Sequence, residues 1–292
     1  MADAQIDSIL GEIGKRSLPS GGFAARAGGQ YRPDATAWAV LAFRMGGSAP
    51  KRVHAALRCL AAGQMDDGRV ALSSDHPDVY WPTPLAILAW HHDPEFGRCL
   101  SRAVSFLLQT TGTHFERQAN SPGGHDPSIR GWGWNDETHS WVEPTSLSMI
   151  ALRLAGCGDN ERVSEGARLL LDRQLSRGGW NYGNTSVFGT ELASMPESTG
   201  LALSALSGLT ARQNVSCSIA LLKESIRTLN TPLSLGWAIL GLSAWGERPG
   251  DACERIERCL GRQHRYGTYD TTMIGLLLVA SKAEGGLIHA LS

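Results

Sequence analysis

The chain has 292 residues, 27 Lys and Arg against 28 Asp and Glu, a net charge of −1, and 42% hydrophobic residues. With no basic excess and no local Lys/Arg cluster, a nucleic-acid-binding surface is excluded as an expectation. The longest apolar stretch, Met273–Ala280, is too short to span a membrane.

Read in chain order, the sequence alternates two kinds of helix. An amphipathic helix with one charged face is predicted over 5–14, and a nearly uncharged helix over 35–46. The pair recurs as 51–62 with 83–92, 95–110 with 144–156, 161–176 with 198–209, 214–228 with 233–246, and 250–263 with 271–283. In the fourth amphipathic helix, Val163, Ala167 and Leu170 share one face and charges the other, so these helices should keep one wet side. The uncharged helices, such as the run from Thr145 and the run from Thr199, are apolar all round and should be buried on every side. Six buried helices inside six amphipathic ones predict an all-α fold, an α/α toroid, built as one domain over 1–292. Small residues such as Ala37, Ala86, Ser148, Ala202 and Gly236 allow close approach between neighbouring inner helices.

The six Cys form no CxxC pair and read as small apolar residues of a reducing compartment. The polar opening segment carries no secretory signal pattern, and the expected location is cytoplasmic. One segment, 111–141, breaks the period between the third outer and third inner helix. It is rich in Gly, His and Trp, and loops of this length commonly form lids or binding loops.

The units share a motif. Gln174-Leu-Ser-Arg-Gly178-Gly-Trp180 precedes Pro196-Glu197-Ser198-Thr199; Gln263…Gly267…Tyr269 precedes Asp270-Thr271-Thr272; Gln64…Gly68…Val70 precedes Trp81-Pro82-Thr83; and Ser17…Gly21…Phe23 precedes Asp34-Ala35-Thr36. Gln can bond free backbone groups at a helix end, Gly takes the turn, and the aromatic is expected to pack on the next inner helix. The pattern resembles the QW repeat of squalene–hopene and oxidosqualene cyclases and, more loosely, the protein prenyltransferase β subunits. The resemblance implies a central apolar cavity, an isoprenoid-like apolar substrate, and an isomerase or lyase activity begun by acid, with peripheral membrane contact as a further expectation.

Proton-initiated cyclases carry Asp-x-Asp-Asp-Thr-Ala at an inner-helix start, and the matching stretch here reads Arg32-Pro33-Asp34-Ala35-Thr36-Ala37. The resemblance makes Asp34 the leading acid. Arg32 and the helix N-terminus both favour its anion, which disfavours alkene protonation and leaves epoxide or carbonyl chemistry. Glu143, Glu197 and Asp270 stand at the same register, two before a Thr, with Trp81 in that slot in the second unit. Parallel inner helices would place these acids around one rim; first-turn acids favoured by the helix dipole are the alternative for each. Asp126, with His125, is a further candidate reaching over the cavity. Asp66-Asp67 lacks a third acid for magnesium, and Asp34-Ala35-Thr36 has no Cys where the zinc site of the protein prenyltransferases carries its Asp-x-Cys pair, so the resemblance implies neither a metal nor a cofactor. Trp38, Trp81, Trp134, Trp141, Tyr182, Phe188 and Trp237 are the candidate substrate-lining rings, able to stabilise a cation at roughly 0.5–2 kcal/mol each. Two other functions stay open: a non-catalytic toroid that holds a lipid or peptide, and a carbohydrate-active enzyme using Glu143 and Glu197 as its pair.

Overall fold

The computed structural model describes residues 1–118 and 124–292; residues 119–123, within the expected insertion, lie outside the described residues. The helices alternate as their polarity dictates. Six inner helices, α2 (Pro33–Met45), α4 (Pro82–Trp90), α6 (Val142–Leu154), α8 (Pro196–Leu206), α10 (Pro232–Ser243) and α13 (Thr271–Lys282), each pack on the next, and α13 closes the ring on α2. Six outer helices, α1 (Asp3–Gly14), α3 (Pro50–Ala62), α5 (Gly97–Gln109), α7 (Glu161–Asp172), α9 (Ser216–Ser225) and α11 (Ala252–Gly261), each sit against two successive inner ones. The fold is an α/α toroid. Closure joins distant parts of the chain: the Thr271 amide donates to the Ala25 carbonyl at 2.9 Å, and Arg16 Nη1 reaches both Ala25 O and Thr271 Oγ1.

The inner helices are buried along almost their whole length because they have no polar face to expose. Their approach is closest between α8 and α10. A Cβ on Gly200 would lie 2.2 Å from the Trp237 carbonyl oxygen, and one on Gly241 would lie 2.4 Å from Gly200 O. Only glycine fits at this crossing.

A repeated turn sets the spacing of the units. Gly21, Gly68, Gly178 and Gly267 all adopt φ between 89° and 98°, a region that glycine enters freely and other residues avoid. In addition, a Cβ on Gly68 would meet Arg102 O at 2.3 Å, and one on Gly178 the Cys217 carbonyl carbon at 2.7 Å, so the turn lies directly on the next outer helix. The glutamine reaches the same helix: Gln64 Nε2 donates to Cys99 O at 2.9 Å, and Gln174 Nε2 to Ser218 Oγ at 2.6 Å.

The aromatic residue does something the sequence did not suggest. Trp180 Nε1 donates to Leu170 O, and Trp132 Nε1 to Leu107 O, each a carbonyl in the last turn of the preceding outer helix. The ring therefore caps the helix behind it. The amide of this residue is held by the inner-helix threonine. Phe23, Val70, Trp132 and Trp180 donate to Thr36, Thr83, Thr145 and Thr199 Oγ1 at 2.9–3.0 Å.

Trp132 thus belongs to the repeat, and the stretch that leaves it is shorter than 111–141. This stretch covers α7. Arg162, expected on a wet face, is buried, stacks over the Trp132 ring at 4.2 Å, and pairs with Glu165 at 2.7 Å. Its Nη2 donates to the Thr110 and Gly131 carbonyls, which ties the start and end of the excursion to α7. A two-stranded hairpin, β1 (Ser186–Val187) and β2 (Thr190–Glu191), follows in the next loop.

Two short helices complete the chain, α12 (Gln263–Tyr266) and α14 (Gly286–Leu291). The second touches α6, α8, α10 and α13, and the Leu291 carbonyl lies 2.6 Å from His91 Nε2 at the end of α4. It lies across the C-terminal ends of the inner helices and stops that opening. No helix among the described residues is long and apolar enough to cross a membrane.

Candidate functional site

The N-termini of the inner helices form one rim of the toroid, and this rim carries two carboxylate clusters on opposite sides of the ring. The first joins α2 to α13. Asp34, only 6% exposed, accepts from Arg32 Nε at 2.8 Å on one oxygen and from Arg32 Nη2 at 2.9 Å on the other. Thr272 Oγ1 adds a long donor at 3.4 Å. Both Asp34 oxygens are acceptors in this fork, so neither presents a proton to the mouth. Asp270 is the N-cap of α13, accepting from the Met273 amide at 2.8 Å, and its charge acts on Arg32. It stands just outside its helix, whereas Asp34, Glu143 and Glu197 lie inside the first turns of α2, α6 and α8.

The second cluster joins α6, α8 and α10. Glu197 accepts from the Tyr182 hydroxyl at 3.1 Å and from Ser234 Oγ at 2.7 Å. Among the described residues no donor reaches Glu143. Burial, and then the charge of Glu197, push its carboxyl up from 4.5 to about 7. The Tyr182 hydroxyl feels both carboxylates and is itself pushed up, first by burial and then by Glu197. The two glutamates occupy the same register on neighbouring helices but have different surroundings: Glu197 is held by two donors, and Glu143 is half-buried with no protein donor among the described residues. Such contrast is what separates the roles of two neighbouring carboxyl groups.

The rings distribute around these clusters. Trp81 and Trp134 meet edge to face with centroids 6.0 Å apart on the α4 side of the rim. Trp141, the residue before α6, stacks on His139 at 4.5 Å, and its indole Nε1 is hidden without a partner among the described residues. Trp38 and Trp237 are both buried and meet edge to face at 5.8 Å beside α13. At this level the two indoles meet from α2 and α10, and Gly275 of α13 lets the Trp38 backbone approach closely, with Trp38 O 2.9 Å from where a Cβ would stand. A cavity of about 530 Å³ lies to the side, between the 111–141 excursion and the β1–β2 hairpin.

Two expected residues stand away from the rim. Asp126 closes a turn of the excursion, accepting from the Ser128 amide at 2.9 Å and its hydroxyl at 2.7 Å, bonds that hold its carboxyl below the usual range. Phe188 is 89% exposed at the hairpin tip. Ser234, the second donor to Glu197, was not among the residues expected from the sequence. A signal was present: α10 opens on Pro232 as α8 opens on Pro196, which puts Ser234 at the register of Ser198, inside the first turn on the rim.

The fold is shared with solved structures at low identity. A protein from Actinoplanes aligns with a TM-score of 0.61 at 15% identity, over 97% of this chain and 99% of that one. A glycoside hydrolase family 76 mannosidase from Bacteroides thetaiotaomicron gives 0.58 at 12%, over 97% of each chain. A type II terpene cyclase from Scytonema, in complex with merosterolic acid A, gives 0.55 at 15%, over 98% of this chain and 82% of that one. No family model and no curated protein sequence matches the chain. These likenesses speak to the toroid and not to its chemistry.

Proposed function

We propose that the chain is a terpene-cyclase-like acid–base enzyme, acting on an isoprenoid-like substrate at this rim, with Glu143 as general acid and Glu197 as the carboxylate opposite it. The observation that carries this reading is the pairing of a bare Glu143, raised to about 7, with a Glu197 held by Tyr182 and Ser234. An acid near 7 is matched to protonating an oxygen at neutral pH and is too weak for an isolated alkene. The substrate is therefore an oxygenated chain, an epoxide or a carbonyl, in which protonated oxygen departs or polarises as the ring forms. Trp141, Tyr182, Trp81 and Trp134 supply faces for the developing cation. Asp34, fixed by Arg32, and Asp270, capping α13, shape the opposite wall.

The likeness to a type II terpene cyclase with geranylgeranyl dihydroxybenzoate as substrate, at a TM-score of 0.52, agrees with this class of reaction. A second reading rests on the same pair. The mannosidase likeness, with two carboxylates of contrasting character on one rim, suits glycosidic-bond cleavage. Incubating the protein with geranylgeranyl dihydroxybenzoate and its terminal epoxide, and separately with manno-oligosaccharides, followed by mass spectrometry, decides between them. The expected result is an isomer of the epoxide at unchanged mass, lost in Glu143→Gln. Release of mannose would replace this reading with the second, and recovery of every compound unchanged would leave a binding toroid.

A further inference from the structure

The lateral cavity has the makings of a site of its own. Its walls come from 113–118, from 125–140, from Arg173 at the end of α7, and from 184–188 of the following loop. One side of its lining is apolar, with Phe115, Val187 and Phe188 at the surface and Pro127 and Ile129 within, while Glu116, Asn184 and three histidines are among its polar residues. Phe188 stands at the two-residue turn of the hairpin with φ 50°, next to Gly189 at 77°. A large ring on a left-handed, solvent-exposed turn is costly in water without something to cover it.

Against this apolar wall stand polar groups that lack partners. His125 Nδ1 and His139 Nε2 are hidden from solvent and make no hydrogen bond with the described residues. Arg173, 3% exposed, spends its Nη atoms on the Gly183 and Asp126 carbonyls. Its Nε meets no acceptor in good geometry, although Asp172 Oδ2 is 3.3 Å away. Buried polar atoms without partners cost free energy until a ligand or water satisfies them.

Charge decides what kind of ligand fits. Burial lowers His114, His125 and His139, His125 to about 4, so the imidazoles are neutral near pH 7. Arg173, Arg117, Arg130 and Arg162 act on these histidines and disfavour a cation, while Asp172, Asp126, Glu165 and the lining Glu116 stand against them, so the opposed charges leave no net excess to hold an anion. Among the described residues no group of three or more His, Cys, Asp or Glu is placed to hold a metal.

We propose that this cavity is a second binding site, distinct from the rim pair, for an uncharged ring compound bearing a hydroxyl group: the ring lies against Phe115, Val187 and Phe188, and the hydroxyl bonds to His125 and His139. Calorimetric titration at pH 7 with four probes tests it. Para-ethylphenol binds at one site per chain. Ethylbenzene, tyramine and para-hydroxyphenylacetate, which remove the hydroxyl or add either charge, bind about tenfold or more weakly, the cost of one unpaired buried group. His125→Phe and His139→Phe each weaken para-ethylphenol by about tenfold on the same ground. Phe188→Asn, at an exposed turn that Asn tolerates, keeps the fold and weakens binding severalfold. Equal affinity for ethylbenzene, tighter binding of either charged probe, or no saturable binding of para-ethylphenol overturns the site.

Discussion

Asp34 and Glu143 occupy the same position in two helices of one ring, and they differ in almost everything else. Asp34 is gripped on both oxygens by Arg32, two residues before it. Glu143 has Trp141 in that place and faces the carboxylate of Glu197. The helix start delivers a carboxylate to the rim; its neighbour decides whether that carboxylate is a structural anion or a proton reservoir. The repeated turn and helix start therefore build equivalent positions, and chemistry enters where a single residue breaks the equivalence.

The widest separation between the two is expected in turnover. Glu143→Gln should lower the rate by about a hundredfold or more, as expected for loss of a general acid, while Asp34→Asn should change it by less than about tenfold. Steady-state kinetics on the converted substrate reads both, and a reversed order would return the acid role to Asp34. The pH profile is the next lever. Rate should fall as pH rises through about 7, where Glu143 loses its proton. Glu197→Gln removes the neighbouring charge and should move that limb to lower pH.

Stability carries the same signature. Folded Glu143 holds its proton between 4.5 and about 7, where the unfolded chain has released it. The native state thus binds more protons in that window, and stability falls as pH rises across it. Thermal unfolding should show this decline in the parent and a flatter curve in Glu143→Gln. On the other side of the ring, Arg32→Met leaves buried Asp34 without its fork and should cost about 2 kcal/mol in denaturant unfolding. Thr36→Val and Thr145→Val should cost about 1–2 kcal/mol each, and equally, because each orphans one buried amide in the same place. Unequal losses would mean that the two helix starts differ in their scaffold as well as in their acids.

Much of this was legible in the residues. Long runs with almost no charge marked α6, α8 and α13 as buried helices, and Arg32 beside Asp34 announced its own pairing. Glu143 and Glu197 were legible as a pair, but their unequal surroundings were not, since the donors to Glu197 come from a loop and from α10. Arg162 and Glu165 read as wet because the excursion that buries them lies outside the helical period. Trp38 and Trp237 read as pocket walls, and only the geometry of the ring shows them meeting. The stopper helix α14 has six residues, too few for periodicity to declare where it lands. The lateral cavity draws on separate stretches that no local pattern connects.

Ring closure has a consequence for how the protein comes into being. Thr271 is bonded to Ala25 and to Arg16, 246 and 255 positions away in the chain. During synthesis the flank of α2 that α13 will cover stays bare until nearly everything else has been made. That greasy edge is the natural place for a chaperone to hold the nascent polypeptide, and for two half-made copies to stick to each other if none does.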